Sequence, residues 1–383
     1  MVTDLEYGLF VASAVCIVGY FPIALLQDVS LLSTLLRRRP RMPAPVPGRH
    51  VLVMMTTAGN APEIVRQIFR TIHGYGLPVE LAVVKEARDT NSYGVPEIVV
   101  PPGYQTPNRS RRKMRAQHYA SEWLRGHGYG AETYVVHLDD DSVPDREYLE
   151  YVFGMPYHGG QGTLRLREYG RNLWTTLTDF VRISDCDAFC AAFNRAGHPM
   201  MVHGEGLTLR ADVEEEIGWD FGTFGAEDLM AGIELGKRYR WGLIPYHVRI
   251  APPLSARDLY RQRRRWHYSF VTAARKISHM QRTVILWFVY RYYIGWTGLF
   301  GLTLWLLNLL LGVPFPAWLL YLGVFNLVSY FGFYQYGAWV TKPRYSILSL
   351  LLQFPVSYLE CGTLFYTLID PPNPTGFDVI QKV

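Results

Sequence analysis

The chain has 383 residues, 49% hydrophobic and 14% aromatic, with a net charge of +5, which is long enough for two ordinary domains. Residues 292–341 contain no Asp, Glu, Lys or Arg. That composition excludes an ordinary soluble protein and points to a membrane protein with a charged, globular middle. Arginines cluster beside apolar segments, which favours an anionic lipid surface or a phosphate ligand over nucleic acid. Four cysteines, Cys16, Cys186, Cys190 and Cys361, make neither a disulfide framework nor a zinc pattern. A globular part on the reducing, cytosolic side is the simplest reading.

In chain order, residues 8–26 form an uncharged apolar run of spanning length. Asp4 and Glu6 precede it in place of a basic region, and no small-residue cleavage pattern follows, so it reads as an anchor and not a signal peptide. The basic run Arg37-Arg38-Arg39-Pro40-Arg41 then predicts an N-terminus outside and a cytosolic middle. The domains expected are an N-terminal membrane helix (1–36), a basic, Pro-rich linker (37–48), a globular domain (49–254), interfacial helices (255–291), about three C-terminal membrane helices (292–370) and a tail (371–383).

Within the globular part, residues 51–56 read as a buried strand, 62–75 as a helix with Pro62 in its first turn, and 79–84 as a second strand. A short strand at 97–100, a helix at 111–125 and a strand at 133–138 follow. This alternation predicts an α/β domain with a mostly parallel sheet covered on both faces. Residues 159–162 read as a Gly-rich loop and 173–193 as one long helix. Residues 201–208 read as a strand interrupted by glycines, a pattern that allows a ligand to approach the backbone. Asp212 with Glu215 suggests a capping box, Glu227-Asp228 opens a helix to about 239, and 255–276 forms another. At the C-terminal end, 292–311 and 317–340 each suffice to span a bilayer. The run 345–369 is a further candidate that contains Pro355 and Glu360. Residues 282–291, rich in aromatics, read as lying along the interface.

Three patches carry chemistry. The apolar strand at 133–138 empties into Asp139-Asp140-Asp141, at the carboxyl end of a sheet where open α/β folds bind ligands. Two carboxylates one residue apart can hold a hard divalent cation, and the cation a diphosphate. Glu227-Asp228 places acids at a helix start, where the ionised form is favoured. Gln262, Arg265 and Trp266 lie at i, i+3 and i+4, on one helical face. Each has a plainer explanation: Asp140 as a solvated turn residue, Glu227-Asp228 as dipole partners, and the arginine run as a lipid-binding juxtamembrane helix.

Taken together, Asp139-x-Asp141, Glu227-Asp228 and Gln262-x-x-Arg265-Trp266 resemble the signature of membrane-integrated family-2 glycosyltransferases, such as cellulose and hyaluronan synthases. The chain is most similar to egghead-type β-1,4-mannosyltransferases, through Glu97-Ile-Val-Val-Pro101, His137-Leu-Asp139 and Trp174-x-Thr176-Leu-x-Asp179. The likeness covers residues 50–275 and implies a GT-A fold, a Rossmann-like mixed sheet with helices on both faces. It also implies a nucleotide-sugar donor and Mg²⁺ or Mn²⁺. By resemblance, Asp141 and Asp139 hold the metal and Asp228 is the catalytic base of a single inverting displacement. Thr56, Glu86, Lys113, Asp139, Asp140 and Arg265 contact the donor; for the base contact, Glu86 and Asp89 both remain open. Gly204, Glu205, Glu227, Gln262 and Trp266 line the sugar and acceptor side, and for Glu205 an exposed position is equally open. Ala226 departs from the residue usual before Glu-Asp. The implied reaction is transfer of one sugar, mannose from GDP-mannose, in β-linkage to a lipid-linked sugar or glycolipid at the cytosolic leaflet. A processive polysaccharide synthase, a UDP-sugar-dependent glycolipid synthase and a silent membrane scaffold are the alternatives.

Overall fold

The computed structural model describes residues 4–37, 41–167, 169–199, 202–277 and 295–373. The chain divides into two compact units. One comprises Met1–Arg37, Leu177–Phe189 and Ala274–Asp370, the other Arg38–Thr176, Cys190–Ala273 and Pro371–Val383.

The second unit is built on an eight-stranded mixed sheet. Its strands are β1 (His50–Thr56), β2 (Val79–Glu86), β3 (Glu97–Val100), β4 (Thr133–Asp139), β5 (Val143–Pro144), β6 (Gly159–Leu166), β7 (Thr208–Arg210) and β8 (Trp241–Ile250), in the order β3-β2-β1-β4-β7-β6-β8-β5. The first four strands are parallel. β7 is antiparallel to both β4 and β6, while β6 and β8 are parallel. The apolar runs explain the centre. Residues 51–55 of β1 and 133–138 of β4 are buried without a break, the mark of strands covered on both faces. Each fully buried Val, Leu or Met there contributes about 1.5–3 kcal/mol. β1 and β4 run in register to their ends, with Thr56 opposite Asp139. Helix α2 (Pro62–His73), α3 (Arg112–Gly126), α4 (Arg146–Val152), α7 (Ala211–Ile217), α8 (Glu227–Arg238) and α9 (Ala256–Ile277) join or flank these strands.

Several sequence expectations need correction here. The Gly-rich stretch at 159–162 is not a loop but the start of β6. Its glycines lie against Leu209, Trp241 and the backbone of Gly242, where a Cβ has no room. The stretch 202–207 is irregular, and the strand is confined to Thr208–Arg210. Asp212 forms no capping box: it takes the fork of Arg210 at 2.6 and 2.8 Å, and α7 starts without a side-chain cap. By contrast, the long helix expected at 173–193 is present without a gap, as α5 (Leu173–Ser184), a π-helical turn at Asp185–Cys190 and α6 (Ala191–Arg195).

The first unit contains α1 (Asp4–Leu35), α10 (Gly295–Leu310), α11 (Ala317–Thr341) and α12 (Ser346–Ile369). Three helices are long and apolar enough to cross a membrane: Asp4–Leu35, Ala317–Thr341 and Pro343–Ile369; Gly298–Leu310 is a shorter apolar helix. α12 runs through Pro355 and Glu360 without a break. Small residues and amide side chains bring the helices close, as is usual where packing and not the hydrophobic effect joins helices. Gly301 of α10 faces Cys16, Gly323 of α11 faces Trp305, and Asn326 donates to the Ile17 carbonyl at 2.9 Å. Residues 177–189 belong to this unit: the Gly337 N–H donates to Ser184 Oγ at 2.8 Å, and Tyr336 donates to Asp187 at 2.7 Å. The interfacial segment expected at 282–291 lies outside the described residues.

Candidate active site

The polar residues of the second unit gather at the carboxyl ends of β1 and β4. Asp139 is the last residue of β4 and Asp141 lies in the turn after it. Lys113, in the first turn of α3, reaches both the strand end and the start of α8. Its Nζ is 2.6 Å from Asp139 Oδ1 and 3.2 Å from Glu227 Oε1. Gly204 closes the group. A Cβ built on it would lie 2.6 Å from Lys113 Nζ and 3.7 Å from both Asp139 Oδ1 and Asp228 Oδ2. Four stretches far apart in sequence (113, 139, 204, 227–228) therefore meet around one ammonium group.

The electrostatics of this group are unusual for its composition. Burial, with the neighbouring Glu227 carboxylate, pushes the Asp228 carboxyl up to about 8, although Lys113 and the Leu229 N–H pull it down. Lys113 is held above the usual lysine range, because Asp139, Glu227 and Asp228 outweigh the burial that opposes its charge. Asp228 Oδ1 also accepts from the Leu229 N–H at 2.9 Å. Immediately before these acids, Ala226 is left-handed (φ 58°), a backbone state costly for a residue with a Cβ. It turns the chain abruptly into α8.

The other expected residues are distributed as follows. Asp140 is not a solvated turn residue: it is buried, and Thr57 Oγ1 donates to its Oδ2 at 3.5 Å. Thr56 stands beside Asp139 at the end of β1. Glu86 is bound by Arg115, whose Nη1 is 2.6 Å from Oε1, on the α3 side of the sheet. Asp89 turns instead toward the loop after β1. It accepts from Tyr93 at 2.6 Å and from the Asn91 side chain at 2.6 Å, and a Cβ on Gly59 would strike it. Glu205 is buried, and its Oε2 is 3.5 Å from His203 Nδ1.

Gln262, Arg265 and Trp266 are on α9. The Arg263 guanidinium lies 4.5 Å from the Trp266 ring centroid and donates to Gln262 Oε1 at 2.6 Å. α9 meets the loop that leads to Asp228: Tyr268 packs edge-on against Phe224 at 4.9 Å, and Ser269 fills the space beside Gly225. α9 is thus tied to the loop that leads to Asp228 through Tyr268 and Ser269, which sequence reasoning did not single out.

The model of glycosyl transferase family group 2 matches residues 134–358, more than half of the chain. The chain belongs to glycosyl transferase family group 2. Among solved structures, a mannosyltransferase from Pyrobaculum calidifontis in complex with GDP-Man and Mn²⁺ has the same fold. It is 16% identical with a TM-score of 0.57, covering 96% of this chain and 99% of that one. Glucosyl-3-phosphoglycerate synthase from Mycobacterium tuberculosis is a looser likeness, 15% identical with a TM-score of 0.37 over 63% of this chain and 84% of that one. No curated protein matches the chain.

For a glycosyltransferase, the donor set suits a hard cation only in part. Among the described residues no group of three or more His, Cys, Asp or Glu could hold a metal ion by itself. Asp139 and Asp141 offer carboxylate oxygen, and the Asp139 carboxylate, about a third exposed, already attracts a cationic group in Lys113. These two carboxylates would hold a divalent cation only with further oxygens from elsewhere.

Proposed function

We propose that this glycosyltransferase moves a single mannose from GDP-mannose, with inversion to a β-linkage, onto a lipid-linked sugar or glycolipid at the cytosolic face of a membrane. The observation that carries the reading is the convergence of Asp139, Glu227, Asp228 and Gly204 on Lys113. In this reading Asp228 accepts the proton of the acceptor hydroxyl as it attacks the anomeric carbon. A carboxyl whose affinity for protons is raised to about 8 is better suited to that task than an ordinary one. No covalent intermediate is needed, so one base suffices.

Asp139 and Asp141 would hold the divalent cation, which neutralises the charge developing on the departing diphosphate. Lys113 adds a fixed positive charge to the same oxygens, and Arg265 a guanidinium suited to phosphate. Thr56, with Glu86 or Asp89, borders the nucleotide, and Asp140 supports it through Thr57. Gly204 lets the sugar approach the backbone. Glu205, Glu227, Gln262 and Trp266 form the acceptor side, the indole face packing on a sugar ring. The spanning helices would keep the reaction next to a lipid acceptor, with the N-terminus outside. The mannosyltransferase of like fold that holds GDP-Man and Mn²⁺ favours this donor over a UDP-sugar.

Thermal unfolding with Mn²⁺ and GDP, UDP, GDP-mannose or UDP-glucose tests the donor. A ligand that binds only the folded state raises the midpoint, by about 2.7 kcal/mol of stability at a hundred times its dissociation constant. GDP and GDP-mannose are expected to raise it and the uridine ligands to leave it in place. The reverse order excludes the mannose assignment.

A further inference from the structure

Two loops flank the acidic site, and one carboxylate outside that site joins them. The loop at 105–111 runs directly into α3 and Lys113, and the loop at 218–226 runs directly into α8 and Asp228. Asp220, in the second loop, makes the join. Its Oδ1 accepts from Thr106 Oγ1 at 2.7 Å, its Oδ2 from the Asn108 N–H at 2.5 Å, and its own carbonyl from Asn108 Nδ2 at 2.8 Å. Ser110 continues the contact, accepting from the Gly222 N–H at 2.9 Å, while its own N–H donates to Thr106 Oγ1 at 2.7 Å. Thr106 and Ser110 are buried, which shields their hydroxyls from competing water, while the two bonds from Asn108 lie at the surface.

The backbone on both sides is held in conformations that need such restraint. Arg109, Arg112 and Ala226 are the non-glycine residues with positive φ among those described, at 57°, 59° and 58°. Two belong to the first loop and its exit, and the third ends the second loop. Each left-handed residue with a side chain persists only where its surroundings over-determine it. Further fastenings act on the same loop. Trp219, fully buried, donates to Glu214 at 2.8 Å, and Arg112 lies 4.6 Å over the Phe224 ring. Asp220 is also held below the usual carboxylate range: burial opposes ionisation, but the bonds from Asn108, Thr106 and Ser110 outweigh it.

We propose that Asp220 is a positioning residue for the transfer reaction, a clasp between the 105–111 and 218–226 loops that sets Asp228 against Lys113. The proposal rests on the reading of Asp228 as the base. Asp220 touches neither substrate nor metal in this scheme. It acts by fixing the turn at Ala226, from which the base projects. A displacement of about 1 Å at a reacting group costs on the order of a hundredfold in rate.

The test uses the full chain in detergent with GDP-mannose, Mn²⁺ and octyl β-glucoside as the probe acceptor. Asp220→Ala is expected to lower kcat on the order of a hundredfold, counted per donor-binding molecule, with the KM for GDP-mannose within about threefold of the parent. Thr106→Val, which removes the hydroxyl and keeps the shape, is expected to lower kcat about tenfold. Thr106→Ser, which restores the donor, brings it back, and Asp220→Ala with Thr106→Val is no slower than Asp220→Ala alone. Amide exchange supplies a readout free of turnover: Asp220→Ala should speed exchange at residues 221–226, including the Gly222 N–H. A kcat within twofold of the parent, equal damage from Thr106→Ser and Thr106→Val, or unchanged exchange at 221–226 overturns the clasp. Asp228→Asn run alongside separates the two readings. If it turns over at the parent rate the base assignment fails, and if it is slowed while Asp220→Ala stays within twofold of the parent, only the clasp fails.

Discussion

Asp228 combines two influences that usually oppose each other. Its place at the start of α8 favours the carboxylate, yet burial and Glu227 push its proton affinity up to about 8, and the second influence wins. On the proposed mechanism only the ionised form works, so kcat/KM for the free enzyme is predicted to rise with pH through about 8 instead of through the ordinary carboxylate range. Stability should move the other way. A carboxyl raised from 3.8 to about 8 by folding stabilises the fold below pH about 4. That contribution fades as pH rises and is gone above about 8. Unfolding midpoints measured in EDTA from pH 5 to 9 should therefore fall more in the parent than in Asp228→Asn; equal slopes would remove Asp228 as the source. At this scale the sequence pointed to residues that the fold does bring together, Asp139, Asp228 and Lys113 among them. It was silent on Asp220, whose partner Thr106 is more than a hundred residues away, and on the left-handed backbone of Ala226. Asp140 misled in a similar way, since neither its burial nor its contact with Thr57 of another loop shows in the local sequence.

The elements show why these residues hold their places. β4 is anchored beneath the site by a buried group: His137 Nε2 is 3.0 Å from Glu214 Oε2, and Trp219 donates to Glu214 Oε1 at 2.8 Å. Glu214 thus ties the strand that carries Asp139 to α7 and to the root of the 218–226 loop. Glu214→Ala leaves two buried donors without an acceptor and is expected to cost about 3 kcal/mol. Thermal unfolding should show a midpoint lower by roughly 6 °C or more for a domain of this size; a shift under about 2 °C would show that the group carries little. The central strands were legible because parallel strands buried on both faces are unbroken apolar runs, as in residues 51–55 and 133–138. β6 was not, because Gly159, Gly160 and Gly162 carry no side-chain pattern. Their reason for being there is the crowding by Leu209, Trp241 and Tyr148 that only the folded sheet creates. The capping box failed because α7 starts at Ala211, which puts Asp212 inside the first turn and not at the cap.

For the whole molecule, composition carried more than pattern. The charge-free stretch at 292–341 falls on apolar helices, and three helices of the chain are long and apolar enough to span a bilayer. The assignment to glycosyl transferase family group 2 agrees with the three motifs that suggested it. What composition could not supply is the way residues 177–189 leave the catalytic unit to pack with the helices. That packing depends on the absence of a Cβ at Gly337, beside the Phe180 carbonyl, and on single hydroxyls such as those of Ser184 and Tyr336. The central claim is that the acids gathered around Lys113 carry out the transfer. Its most direct test is turnover by Asp228→Asn in the full chain, with GDP-mannose, Mn²⁺ and octyl β-glucoside, alongside donor binding by the same variant. We predict that donor binding is kept while kcat falls by roughly 10²–10⁴; turnover at the parent rate with donor still bound would contradict the claim.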